Sequence, residues 1–144
     1  MSQALIVPAL GGASYDWSND HMYVKAPQAL TDRRLTLVED QLKPGFHLPR
    51  HHHRLMTEIF YILEGEVRFA FDDEIVTAAP GTTINIPTRV WHEVTCAHGA
   101  RLLTIFSPGG FDEYLAELAA LTPAQNADAA FQTALAEKYD TWTR

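Results

Sequence analysis

The chain has 144 residues, a formal net charge of −7 and 47% hydrophobic residues. That length suits one domain that can bury a core without staples. The acidic balance argues against duplex nucleic acid as a partner. Its single cysteine, Cys96, excludes both an internal disulfide and a paired-cysteine zinc site. No stretch reaches the ~18 apolar residues of a membrane helix, and the N-terminus lacks the basic and apolar regions of a signal peptide. The expectation is a cytoplasmic protein with no membrane partner.

Residues 1–33 read as a lead-in, broken at Gly11-Gly12 and at Ser18-Asn19-Asp20, with a short strand expected at residues 4–7. From His21 the pattern turns to short segments rich in Val, Ile, Thr, Phe and Tyr, separated by Gly, Pro and Asp. They fall at residues 21–26, 34–42, 58–63, 66–71, 74–78, 82–87, 92–96 and 101–107. Leu63-Glu64-Gly65-Glu66 and Asp72-Asp73-Glu74 read as tight turns. Strands at this spacing predict an all-β sandwich or barrel over residues 34–107. Residues 108–144 change character. Phe111, Leu115, Leu118 and Leu121 recur at helical spacing. Thr122-Pro123 is an N-cap followed by proline, opening a second helix to Tyr139 with Ala127, Phe131 and Leu135 on one stripe. A C-terminal pair of α-helices is therefore expected.

Seven histidines are present, four of them within residues 47–53. In an extended segment His51 and His53 face the same side, roughly 6.5–7 Å apart, so two imidazoles can converge on one ion. His52 faces the other way. Glu58 heads the alternating face Glu58, Phe60, Ile62; a carboxylate on such a face is costly unless paired or metal-bound. His92 opens a face shared with Val94 and Cys96. Imidazoles with one carboxylate suit a divalent transition metal (Fe, Mn, Ni, Zn, Co or Cu) better than Ca or Mg.

The spacing Gly45, five residues, His51, one residue, His53, four residues, Glu58, six residues, Gly65 resembles the first motif of the cupins at every fixed position. Gly81, five residues, Pro87, then His92 resembles the second. The likeness is to small single-barrel cupins of the quercetin-dioxygenase-like kind. It implies a double-stranded β-helix (jelly roll) with one metal held inside by His51, His53, Glu58 and His92, and commonly a homodimer. The second motif departs where the family usually has glycine, here Arg89, and asparagine, here Cys96. Arg89 would either take a different turn geometry or reach the barrel mouth.

Around that metal, Phe60, Ile62, Phe69, Ile84, Cys96 and His47 are the candidate pocket residues, His47 at its rim. Trp91 is expected on the outer face, His98 in a solvated turn, and the Cys96 thiol inert. In the resembled dioxygenases the matching glutamate is thought to accept a hydroxyl proton, so Glu58 is also the candidate catalytic base. The expected function is a metal-dependent dioxygenase-like enzyme acting on a small aromatic or enolisable hydroxy compound. The alternatives are a small-molecule binder or sensor without turnover, and a metal-dependent isomerase or lyase.

Overall fold

A computed structural model describes residues 3–144. Eleven strands form two sheets that pack face to face. They are β1 Ser14–Asp16, β2 Asp20–Ala26, β3 Thr36–Leu42, β4 Phe46–His52, β5 Thr57–Gly65, β6 Val67–Ala70, β7 Ile75–Ala78, β8 Thr83–Ile86, β9 His92–Cys96, β10 Ala100–Ser107 and β11 Trp142–Thr143. One sheet runs β1-β2-β3-β10-β5-β8 and the other β11-β4-β9-β6-β7. Every strand pair is antiparallel. This is a jelly-roll barrel, in which two curved sheets enclose one apolar interior.

Strand alternation builds that interior. In β3 the residues Thr36, Val38, Asp40 and Leu42 are buried while those between them are partly covered. In β9 His92, Val94 and Cys96 are buried in the same way. Ile62, Val67, Phe69, Val94 and Leu102, each no more than 1% exposed, fill one end of the barrel. Met22, Val38, Met56, Phe106 and Leu115 fill a second cluster under the first C-terminal helix. Gly65 makes the β5–β6 turn possible: its φ is +80°, and a Cβ there would lie 2.6 Å from the Gly99 carbonyl oxygen. The turn at Asp72-Asp73-Glu74 closes through Phe71 N–H donating to the Glu74 carbonyl at 2.8 Å.

Three elements differ from the sequence expectation. Residues 4–7 form no strand; Leu5 and Ile6 are 61% and 82% exposed, and an apolar tetrapeptide without a paired edge gains nothing from extension. The expected second C-terminal helix is two. After α1 Phe111–Ala119 come α2 Pro123–Ala127 and α3 Ala129–Lys138. Thr122 is the anticipated N-cap, and it forms a capping box with Gln125. Asp128 is extended, however, and its side chain accepts from Ala130 N–H and Phe131 N–H, so a short polar residue ends one helix and caps the next. Finally β11, unforeseen, pairs with β4, setting Trp142 opposite His52 and Thr143 opposite His51. No helix among the described residues is long and apolar enough to cross a membrane.

Candidate metal centre and its cavity

The four residues of the motif come from both sheets. His51 is the penultimate residue of β4, His53 follows the strand, and His92 opens β9 directly opposite His51. Glu58 lies on β5, across the barrel in the other sheet. Each offers one ligand atom, and these atoms lie within 4.8 Å of one another. All four side chains are buried, His92 completely.

The outer nitrogens of the imidazoles set their orientation. His51 Nδ1 donates to the Pro49 carbonyl at 2.7 Å, His53 Nδ1 to the Asp140 carbonyl at 2.9 Å, and His92 Nδ1 to the Val90 carbonyl at 2.9 Å. A carbonyl only accepts, so each Nδ1 carries a proton and each ring turns its Nε2 inward, toward the other members of the cluster. His53 Nε2 and His92 Nε2 lie 3.1 and 3.2 Å from the same oxygen, Glu58 Oε1. Three imidazole nitrogens and a carboxylate so close together suit a positive centre among them, and a divalent transition metal with N and O ligands fits.

Their surroundings act on these groups unequally. Burial, reinforced by the neighbouring His92, pushes His51 down to about 4, so it is neutral and available as a ligand. Burial works against a charge on His53, but Glu58 and the Asp140 carbonyl outweigh it and raise its pKa. Burial likewise works to raise Glu58, yet the bonds from His53 and His92 hold its carboxyl well below the usual carboxylate range.

His51, His53 and Glu58 open onto a cavity of about 330 Å³, lined mostly by apolar groups such as Phe60, Leu48, Phe106 and Leu115. A larger concavity of about 620 Å³ lies elsewhere and contains none of the four residues. The smaller space is the candidate site because the chemistry faces it.

Of the expected pocket residues, Phe60 lines this cavity and the others do not. Ile62 lies four residues beyond Glu58, roughly 13 Å along the strand, and is fully buried in the core. Phe69 packs edge-on behind Phe60, with ring centroids 5.1 Å apart. Ile84 sits opposite Phe60 on β8 and packs against the same core. Cys96 is at the far end of β9 from His92; its thiol donates to the Glu66 carbonyl at 3.3 Å. His47 fails for a different reason. The register between β4 and β9 shifts between Leu48 and His51, so His47 faces outward while His51 faces in. His47 and Cys96 line the larger concavity instead, and His47 Nε2 meets Glu93 Oε2 at 2.6 Å.

His52 points away from the centre but is not exposed. It stacks on Trp91 at 4.0 Å and is covered by β11. Arg89 is exposed and takes the left-handed φ of +68° that glycine favours, with its N–H donating to the His53 carbonyl. Sequence reading missed Asp20, Asp40, Thr104, Tyr114 and Thr141, all of which line the cavity. For Asp40 a signal existed: it interrupts the apolar alternation of Val38 and Leu42 just as Glu58 interrupts that of β5. No signal marked the C-terminal residues, whose approach is purely tertiary.

Residues 38–106 match the family model described as Cupin domain. A quercetin 2,3-dioxygenase of Bacillus subtilis (strain 168) is 26% identical over 96 residues, covering 66% of this chain and 28% of that protein. The chain thus spans little more than a quarter of that curated relative's length. Among solved structures, an RmlC-like cupin from Shewanella frigidimarina superposes with a TM-score of 0.64 at 21% identity, covering 78% of this chain and 98% of that one. The polyketide cyclase RemF from Streptomyces resistomycificus gives 0.65 at 18% identity, covering 73% and 80%. At these identities the two structures establish the fold alone.

Proposed function

We propose that this jelly-roll chain, whose residues 38–106 match a cupin-domain model, is a metal-dependent dioxygenase-like enzyme acting on a small aromatic or enolisable hydroxy compound. The observation that carries this reading is the set of three imidazoles and one carboxylate within 4.8 Å at the wall of an apolar cavity. The relationship to a quercetin 2,3-dioxygenase supports it.

His51, His53, Glu58 and His92 would hold the metal. When bound, a divalent transition metal supplies positive charge that favours an ionised ligand oxygen and, for redox-active ions, access to O2 chemistry. The rest falls to the protein. Apolar walls exclude water and favour a flat, largely apolar substrate. Glu58 is ionised and buried, placed to take the proton of a ligand hydroxyl entering beside it. The expected net reaction consumes O2 as oxidant and leaves both oxygen atoms in the organic products.

The test is O2 uptake by untagged protein reconstituted in turn with Fe, Mn, Co, Ni, Cu and Zn, offered 3-hydroxyflavone and acetylacetone. Metal-dependent O2 consumption that disappears in Glu58→Gln is expected. Conversion of either compound without O2 would replace the dioxygenase reading by an isomerase or lyase, and binding without any conversion would leave a ligand sensor.

A further inference from the structure

The inner face of the six-stranded sheet is apolar except for Thr36, which bonds to Asp112, and for one diagonal. Thr36, Phe106 and Glu58 face one another across β3, β10 and β5. Two residues further along, Val38, Thr104 and Phe60 form the next row. Two further again, Asp40 lies opposite Leu102 on one side and Met22 on the other. Beyond it, Asp20 lies opposite Leu42. Glu58, Thr104, Asp40 and Asp20 are therefore each one strand over and two residues along from the last. Such diagonal neighbours are roughly 7–8 Å apart, and all four line the same cavity.

Thr104, Asp40 and Asp20 are buried, at 3%, 6% and 7% exposure. Asp40 Oδ1 meets no hydrogen-bond partner among the described residues. Burial first, and then the charge of Asp20, pushes the Asp40 carboxyl up to about 10; the hydrogen bond between the two adds to this. Burial raises Asp20 as well, opposed by that bond and by Lys43 and His21. Around neutrality Asp40 thus keeps its proton. A buried acid pair so poorly supplied with donors costs stability, and a barrel would be better served there by two apolar side chains. Polar groups retained at such a cost in a ligand cavity mark a recognition role.

We propose that Asp20, Asp40 and Thr104 form a second polar subsite of the cavity, which takes a hydroxyl group at the end of the ligand remote from the His–Glu cluster. A hydroxyl both donates and accepts, so it can satisfy a carboxyl oxygen of the pair and the Thr104 hydroxyl together. The ligand is then two-ended: oxygen donors at the metal centre, a flat apolar middle against Phe60 and Leu102, and a hydroxyl at the acid pair. The first end rests on the function proposed above; the second does not.

Two matched pairs of probes separate these parts. Zinc-loaded protein, kept anaerobic, is titrated with 3-hydroxyflavone and 3,4′-dihydroxyflavone. Metal-free protein is titrated with naphthalene and 2-naphthol. The measured quantity is the ratio of affinities within each pair, which a merely structural role of the acids would not move. In Asp40→Leu the preference for the hydroxylated member should fall about tenfold in both pairs, as expected for a lost buried hydrogen bond. Thr104→Val, which preserves shape, should lower it by a smaller factor and guards against a folding defect in the first variant. An unchanged naphthol ratio, or no naphthol binding at all, overturns the subsite. A responsive naphthol ratio with no binding of either flavonol leaves the subsite standing and removes the flavonol-like substrate class.

Discussion

His53 shows how one side chain is committed from both ends. Its Nδ1 is spent on the Asp140 carbonyl and its Nε2 lies 3.1 Å from Glu58. Replacing it removes a metal ligand and leaves Glu58 buried with one partner fewer. His53→Ala should lose most bound metal, at least about tenfold in affinity, while His98→Ala, altered in an exposed turn, should retain it. Metal content after dialysis, read by elemental analysis, decides; equal retention breaks the assignment. Arg89 is the reverse case, a residue whose side chain contributes little and whose backbone carries the strain. A non-glycine residue at φ +68° costs roughly 1 kcal/mol. Arg89→Gly should therefore be neutral to about 1 kcal/mol stabilising in urea unfolding, with metal binding unchanged because the N–H to His53 is kept. A clear loss of stability would show that the arginine side chain matters.

At the scale of elements, the centre depends on a strand that lies outside the matched domain. Asp140, between α3 and β11, accepts from the N–H groups of Arg54, Leu55 and Met56 at 2.8 Å each, while its own carbonyl receives His53. Burial works to raise its carboxyl, but these bonds prevail and hold it below its ordinary value. Asp140→Ala should cost about 2 kcal/mol of stability and roughly tenfold in metal affinity, measured by unfolding and by titration with Co2+. Full metal affinity in this variant would mean that His53 is oriented without the tail. The contrast explains what sequence reading could reach. His51, His53, Glu58 and His92 are legible because fixed spacing and strand alternation speak directly about geometry. His47 misleads because a register shift inside β4, between Leu48 and His51, reverses alternation, and Pro49 within it is the only sign of the break. Ile62, Phe69 and Ile84 are on inward faces as expected, but alternation gives a face and not a depth along the barrel. The helix break at Asp128 turns on a cap that is as compatible with a helix interior as with its end until the chain folds. Asp140 and β11 depend wholly on tertiary contact.

For the whole molecule, the buried groups pull stability in opposite directions with pH. His51 has its pKa lowered to about 4, from an ordinary value of 6.5. It contributes stability above pH 6.5, which is lost as pH falls toward 4. Asp40 is raised to about 10, from 3.8. Its contribution is present below pH 3.8 and declines as pH rises through the neutral range, by up to about 1.4 kcal/mol per pH unit. His53, raised above 6.5, likewise loses its contribution as pH rises. The metal-free protein should therefore be most stable on the acid side of neutrality, with a falling limb from about pH 6 to 9. Asp40→Asn removes the larger source of that limb. Facing it remain Asp20 and, through Asp20, Lys43 and His21. Urea unfolding across this range should show a shallower decline in the variant and greater stability than the native chain at pH 8. Metal shifts the balance the other way, because the imidazoles must be free of protons to bind it; the loaded protein should gain most over the metal-free form at neutral to alkaline pH. An Asp40→Asn curve parallel to that of the native chain would mean that Asp40 ionises freely in the folded chain.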